Sequence, residues 1–97
     1  MLEKKYVYSV TDSKVVERIV DDENIHLNHM VLTKGTSLPE HYSNSNVYMI
    51  IVRGTMTLQL GDQEPHRYRK GDIVNIPYNT KMNVSNQDEE VLEFFVE

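Results

Sequence analysis

Cysteine and tryptophan are both absent from this sequence of 97 residues. Without cysteine, a disulfide framework, a thiolate metal site and a cysteine nucleophile are excluded. Long apolar runs are also missing. The longest, Val47–Val52, is far shorter than the roughly 20 residues of a membrane span, and the opening "MLEKKYVYSV" lacks the apolar core of a signal peptide. We therefore expect a cytoplasmic protein with no membrane partner.

Positive charge is scarce. The chain carries 10 Lys and Arg against 15 Asp and Glu, and its formal net charge is -5. Binding to nucleic acid needs a concentrated positive field that releases counterions. The one basic cluster, His66–Lys70, lies beside a Gly-Asp turn, which is typical of a solvated strand next to a hairpin. We therefore expect no nucleic-acid partner.

The chain has the length and composition of one compact domain, which we assign to residues 1–97. Apolar residues alternate at two-residue spacing, and nowhere do they follow helical spacing over a sustained stretch. The alternation begins with Tyr6, Tyr8 and Val10 and recurs in short segments bounded by turn residues. The pattern predicts an all-β fold, either a closed barrel or a sandwich.

A hairpin is predicted early in the chain. The segments "KVVERIV" and "IHLNHMVLTKG" flank the polar turn "DDEN". In the second arm the apolar phase moves from Ile25 and Leu27 to Met30 and Leu32. A bulge, or a strand buried on both faces, would explain this shift.

Two segments carry a family resemblance. Gly35–Gly54, "GTSLPEHYSNSNVYMIIVRG", resembles the pattern G-x5-H-x-H-x3,4-E-x6-G through both glycines and His41. Gly71–Asn86, "GDIVNIPYNTKMNVSN", resembles G-x5-P-x-G-x2-H-x3-N through its first glycine, Pro77 and its final asparagine. These are the motifs of the cupins. The resemblance covers nearly the whole chain and implies a cupin-type antiparallel jelly-roll β-barrel.

The ligand positions of these motifs are mostly replaced. In metal-binding cupins, two histidines and a glutamate of the first motif and a histidine of the second hold the metal. Here only His41 matches, because Ser43, Val47 and Met82 stand at the other three positions, and Asn79 replaces the inner glycine of the second motif. The resemblance therefore implies a cupin with a degenerate metal site, and we expect no cofactor.

Ligand chemistry leads to the same expectation, since valine donates nothing and serine and methionine are poor ligands for hard or borderline divalent ions. Two alternatives stay open. A soft Cu(I) ion could be held by His41 and Met82 with Met49 nearby, or a divalent ion could be held by His41 with a recruited ligand such as His29.

The barrel interior is predicted to be dry at Val47, Met49 and Ile51, with His41 at a polar mouth. We predict a pocket of apolar walls and a few polar groups for a small molecule, formed by His41, His29, Met82, Met49, Ser43 and Tyr78. The alternative for His41 is a purely structural hydrogen bond that closes its loop.

His29 is included because Val31 is expected to face the interior, and two-residue alternation then turns His29 and Leu27 inward. The alternative is a buried neutral histidine bonded to a backbone carbonyl. Glu93, in the last predicted strand, is expected on the outer face, where it cannot serve as a cavity base.

Two functions remain open at this stage. The first is a metal-free small-molecule binding module, which would act through a partner. The second is a metal-independent cupin enzyme of isomerase, epimerase or lyase type, with His41 or His29 as base. We favour binding because no matched acid-base pair is evident.

Apolar residues fall on both faces of several strands, more than one thin barrel interior can absorb. Small cupins also commonly pair, so the resemblance implies a twofold homodimer in which either the Tyr48-Ile50-Val52 face or an N-terminal strand packs across the interface. The residues that support this expectation are Tyr6, Tyr8, Tyr48, Ile50, Val52, Phe94 and Phe95.

Overall fold

The computed structural model describes residues 2–97, in which the chain forms nine strands and no helix. Every strand pairing is antiparallel, so the predicted all-β fold is confirmed. No helix of the described residues is long and apolar enough to cross a membrane. The strands are β1 Val15–Asp21, β2 His26–Leu32, β3 His41–Tyr42, β4 Val47–Arg53, β5 Thr55–Leu60, β6 His66–Arg69, β7 Ile73–Ile76, β8 Lys81–Ser85 and β9 Leu92–Val96.

The strands form two sheets. Five strands lie in the order β1-β2-β9-β4-β7, and four lie in the order β3-β8-β5-β6. The apolar core takes side chains from both sheets and therefore lies between them. Its buried members are Leu32, Val47, Met49, Ile51, Met56, Leu58, Ile76, Met82, Val84, Leu92 and Phe94.

The chain passes from the first sheet to the second between β4 and β5, at Gly54. Gly54 has φ +80°, and a Cβ placed on it would lie 2.3 Å from the carbonyl oxygen of Val91. Only glycine fits this close approach of two backbone segments. The turn between β7 and β8 also needs the left-handed region, and there Asn79 has φ 60°. Asparagine tolerates this conformation better than most residues, which explains how it replaces the motif's inner glycine.

The predicted hairpin is confirmed as β1 and β2. Its register shifts in β1, between Arg18 and Val20, so the bulge lies in the first arm. The second arm is buried on both faces, since Val31 and Leu32 are adjacent in sequence and both fully buried. Burial on both faces removes the polar alternation that normally identifies the inward side of a strand.

The strand predicted at Tyr6–Val10 is wrong, because residues 2–14 form no strand. The segment instead lies against the outer face of the first sheet. The Tyr8 ring is 4.8 Å from the ring of His29 and 5.2 Å from the ring of Phe95, measured between centroids. Tyr6 and Val10 are 51% and 92% exposed, so the two-residue alternation of this segment does not mark a buried side, and the segment belongs to no strand ladder.

Candidate functional site

The candidate site is a cavity at one end of the space between the sheets. On β4, Val47 and Met49 are buried and alternate with exposed Tyr48, so the predicted inward face of this strand is confirmed. On the opposing sheet, His41 of β3 pairs in register with Met82 of β8. Directly opposed residues on antiparallel strands share a face, and both side chains line the cavity.

This inner cavity has a volume of about 200 Å³. Its apolar wall consists of Met30, Leu38, Val47, Met49, Met82 and Val96. Its polar groups are Asn28, His41, Tyr42, Ser43 and Asn44. None of these lining residues is acidic or basic apart from the one histidine.

A second, outer cavity of about 450 Å³ adjoins the first. The two share Asn28, Asn44, Val47 and Val96, and the outer cavity adds Arg18, His26, Ser45 and Glu97. Arg18 and His26 both contact Asp21, at 3.1 and 2.9 Å. The site therefore combines an apolar inner end with a polar and charged outer end.

His41 is held by its own loop. Its Nδ1 lies 3.0 Å from the carbonyl oxygen of Pro39. Because a carbonyl oxygen only accepts, Nδ1 carries the hydrogen and donates it. In the neutral ring the lone pair is then on Nε2. His41 thus offers the cavity one acceptor nitrogen of fixed tautomer.

Ser43 has a structural task although it lines the cavity. It is 4% exposed, its Oγ donates to the Pro77 carbonyl at 2.6 Å, and it accepts from the Thr80 backbone N–H at 2.9 Å. Both capacities of the hydroxyl are used to tie its loop to the β7–β8 turn.

The inward orientation predicted for His29 is wrong. Asn28 and Met30 line the cavity, and successive residues of a strand point to opposite faces. His29 is therefore on the outer face of the first sheet, where it is fully buried. The expectation failed because it extended alternation from the wrong residue of a strand that is buried on both faces.

On this outer face His29 lies between two carboxylates. Its Nδ1 is 2.6 Å from Oε2 of Glu17, and its Nε2 is 2.6 Å from Oε2 of Glu93. Both ring nitrogens are therefore engaged by side-chain carboxylates. Tyr8 and Phe95 flank the ring. The partners of the ring are thus two carboxylates, and not the backbone carbonyl of the structural alternative.

The two carboxylates have further partners. The backbone N–H of Ser9 is the main cause that lowers the pKa of Glu17 below its ordinary 4.5, and the hydrogen bond from His29 adds to it. Arg53 Nε lies 3.2 Å from Oε1 of Glu93, and the same guanidinium donates to Asp12. Glu93 is therefore on the outer face, as expected. We call Glu17, His29, Glu93, Arg53 and Asp12 the outer ion cluster.

Tyr78 lies in the turn after β7, is 69% exposed and does not line the inner cavity. Of the predicted pocket residues, the structure brings together His41, Ser43, Met49 and Met82. Sequence reasoning missed Met30 and Asn28. The apolar phase of Met30 and Leu32 was the signal that could have placed them inward.

A family model for the cupin domain matches residues 28–96. This chain belongs to the cupin family, as the two motifs indicated. An uncharacterised protein of Methanocaldococcus jannaschii is 50% identical over 97 residues, covering 99% of this chain and 84% of that protein.

Solved structures agree on the fold. The crystal structure of an RmlC-like cupin family protein with a double-stranded β-helix fold, also from M. jannaschii, has a TM-score of 0.96 at 49% identity, covering 99% of this chain and 89% of that one. A protein with a double-stranded β-helix domain from Klebsiella pneumoniae has a TM-score of 0.79 at 13% identity, covering 94% of this chain and 80% of that one. The second likeness concerns the fold alone.

The metal that the family resemblance implies does not fit these residues. Position 43 holds a hydroxyl that is already bonded twice, position 47 a valine and position 82 a thioether. Across residues 2–97, no three His, Asp or Glu side chains are grouped so that they could hold a metal ion. The inner cavity is lined by one imidazole and by no carboxylate, which falls short of the donor set of a divalent site.

Proposed function

We propose that this cupin binds a small molecule in the inner cavity, without a divalent metal. The observation that carries the proposal is the state of His41. Its Nδ1 is committed to Pro39, so Nε2 is left as a directional acceptor beside an apolar wall. Apolar walls with a few convergent polar groups are the usual composition of ligand pockets.

The size of the cavity restricts the ligand. About 200 Å³ is below the roughly 300–1,000 Å³ of pockets for drug-sized molecules and cofactors. The inner cavity alone therefore suits a small metabolite that donates a hydrogen bond to Nε2. A longer ligand would extend past Asn28 and Asn44 into the outer cavity, where Arg18 and His26 would meet its polar end.

Native mass spectrometry of the purified protein, followed by thermal-shift screening against metabolite pools, tests the proposal. We expect saturable binding at one molecule per chain. His41→Leu should abolish it, and Met82→Phe should abolish it by filling the cavity. The matched control is His66→Leu, because His66 is an exposed histidine on β6 that lines neither cavity. Equal loss in the control, or no binder in any pool, would contradict the proposal.

An enzyme of isomerase, epimerase or lyase type is the alternative, since Nε2 of His41 could also accept a proton from a substrate. Such chemistry commonly needs a second ionisable group placed for the return of the proton. The inner lining contains no such group. Turnover of a bound metabolite, lost in His41→Leu, would favour the enzyme.

We further propose a twofold homodimer across the outer face of the first sheet. Tyr48, Val52 and Ile73 are 44%, 39% and 66% exposed there, and their strands β4 and β7 are neighbours. Clustered exposed apolar side chains are a feature of contact surfaces. Light scattering should give twice the chain mass, and Ile73→Glu should give the monomer. A clean monomer of the unmodified protein would remove this proposal.

A further inference from the structure

One row of side chains connects the outer cavity with the inner cavity. The row crosses the first sheet from its edge to its centre and consists of the register partners Arg18 on β1, Asn28 on β2, Val96 on β9 and Met49 on β4. Register partners share a face of a sheet, and all four line one cavity or the other. Across three strand spacings, about 14 Å, the wall therefore changes from a guanidinium to a thioether.

Arg18, at the outer end of this row, has donors to spare. Its Nη1 lies 3.1 Å from the carboxylate of Asp21, and its Nε lies 3.5 Å from Oδ1 of Asn28. No group within residues 2–97 accepts a hydrogen bond from its Nη2. A guanidinium carries five N–H donors in a planar fork that matches a carboxylate. Arg18 can therefore hold a carboxylate of a ligand in addition to Asp21.

Glu97 brings the opposite charge to the outer cavity. It follows β9, and its backbone exchanges two hydrogen bonds of 2.9 Å with Tyr48 on β4. β9 and β1 are two strand spacings apart, about 10 Å. In the described part of the chain, no ion pair joins the Glu97 side chain to Arg18 or to any other residue. The lining thus holds a cation and an anion that are not paired with each other.

These charges favour a ligand that carries both signs. A ligand with a carboxylate alone would meet the like charge of Glu97, and a ligand with an ammonium alone would meet that of Arg18. Like charges brought together on binding disfavour a complex, whereas a zwitterion can turn each of its charges toward the opposite one. An ammonium also has three N–H donors, so it supplies the donor that Nε2 of His41 lacks.

The inner cavity has room for an apolar side chain. Its volume of about 200 Å³ equals that of about six or seven water molecules in the liquid, at roughly 30 Å³ each. Val96 and Met49 form the inner end of the row, and Met82 lines the cavity from the facing sheet. A branched or unbranched chain of about four heavy atoms, as in leucine or methionine, fits this space.

We propose that the two cavities together bind an apolar α-amino acid as its zwitterion. Its carboxylate faces Arg18, its ammonium faces His41 and Glu97, and its side chain occupies the inner cavity. The inference rests on the proposed function, since it names the class of ligand for the same site. It concerns binding only.

Leucine and methionine are the probes, and the comparison compounds each lack one part of leucine. Isocaproate lacks the amino group, isoamylamine lacks the carboxylate, and glycine lacks the side chain. In an NMR titration, leucine should bind about fivefold more tightly than isocaproate or isoamylamine, the upper end of what one exposed ion pair contributes. Glycine should show no saturable binding, because each buried CH₂ group strengthens binding about fourfold. The amide signals of Asn28, Asn44 and Met49 should shift with leucine.

Two variants assign the charges. Arg18→Gln should weaken the binding of leucine and isocaproate about fivefold and should not weaken that of isoamylamine. Glu97→Gln should weaken the binding of leucine and isoamylamine and should not weaken that of isocaproate. The matched controls are Arg69→Gln and Glu64→Gln, since both side chains are exposed and line neither cavity. They should leave every affinity unchanged.

Equal affinities for leucine and both of its truncated analogues would overturn the inference, as would tight binding of glycine or equal losses in the control variants. If a metabolite of another class binds through His41 while leucine and methionine do not, the inference fails and the proposed function stands. If neither an amino acid nor any other metabolite binds, both fail.

Discussion

His41 and His29 belong to the same barrel but lie in contrasting surroundings. His41 is exposed on a two-residue strand, and its one hydrogen bond goes to a backbone carbonyl. His29 is fully buried, and both its nitrogens face carboxylates at 2.6 Å. The deeper histidine is thus the fully satisfied one. The exposed histidine, His41, keeps one ring nitrogen, Nε2, without a hydrogen-bond partner in its own loop.

The comparison separates burial from function. A buried histidine in a small barrel invites a catalytic interpretation, yet the partners of His29 consume its whole hydrogen-bonding capacity. What makes a site available to a ligand is an unused polar atom beside a cavity. By this criterion the outer ion cluster is satisfied within the protein, and the wall around His41 is the region for which we propose ligand binding.

The largest effect should come from His29→Leu. The substitution removes both hydrogen bonds of the fully buried ring, and because hydrogen bonds to charged groups contribute about 1.5–3 kcal/mol each, we expect the free energy of unfolding to fall by about 3 kcal/mol. Urea denaturation at neutral pH measures it. His26→Leu is the control, because His26 has 62% of its side chain exposed, and should change stability by no more than about 0.5 kcal/mol. Equal effects in both variants would show that the cluster does not hold the fold.

The second-largest loss of stability is expected for Val47→Glu, in the wall of the inner cavity. A carboxylate in this wall has no ion to pair with, and we expect a loss of about 2 kcal/mol. Adding Ser43→His and Met82→His should complete a site of three imidazoles and a carboxylate. Zinc at 100 times its Kd should then raise the free energy of unfolding by about 2.7 kcal/mol. A triple variant that binds no zinc would count against the motif alignment.

A smaller change of stability is expected when the pH is lowered and Glu17 becomes protonated. The pKa of Glu17 is lowered from 4.5, so its contribution to stability is present above that value and is lost as the pH falls through the lower, folded-state pKa. Glu17→Gln should flatten this loss. Ser9→Pro should do the same because it removes the N–H that lowers the pKa most, whereas Ser9→Ala keeps that N–H. The measurement is the free energy of unfolding at a series of acid pH values. If Glu17→Gln loses stability as steeply as the unmodified protein, the pH dependence belongs to other groups.

The smallest effect on stability should be that of His41→Ala. Its exposed ring makes one hydrogen bond, so we expect a change of about 0.5 kcal/mol or less together with loss of ligand binding. Thermal unfolding and native mass spectrometry measure the two quantities. A loss of stability above about 1 kcal/mol with unchanged binding would favour the alternative in which His41 only closes its loop.

Most of the fold could be predicted from the sequence. Turn residues and alternation placed the β1–β2 hairpin and the inward side of β4, and the spacing of the motif glycines and Pro77 identified the cupin barrel. These features are encoded locally, in φ angles and in period-two burial. The absence of family metal ligands followed directly from the residue types at positions 43, 47 and 82.

The inward side of β2 was predicted wrongly because this strand is packed on both of its faces. β2 packs against the core on one side and against Tyr8 on the other, so hydrophobicity could not tell which side faces inward. The Tyr6–Val10 segment misled because alternating apolar residues need not be buried in a sheet, and here Tyr6 and Val10 are 51% and 92% exposed. The partners of His29 come from β1 and β9, and such long-range contacts leave no local trace in the sequence.

The hydroxyl of Ser43 bears on the mutational paths open to this chain. The hydroxyl joins the loop of residues 43–46 to the turn at Pro77 and Thr80. A substitution of Ser43 by a metal-binding histidine would therefore remove these two hydrogen bonds before any ion could be bound. Each single step toward the divalent site, whether at position 43 or 47, lowers stability before any ion can compensate. Selection acting on one substitution at a time would therefore tend to retain the present donor set, even if metal were abundant.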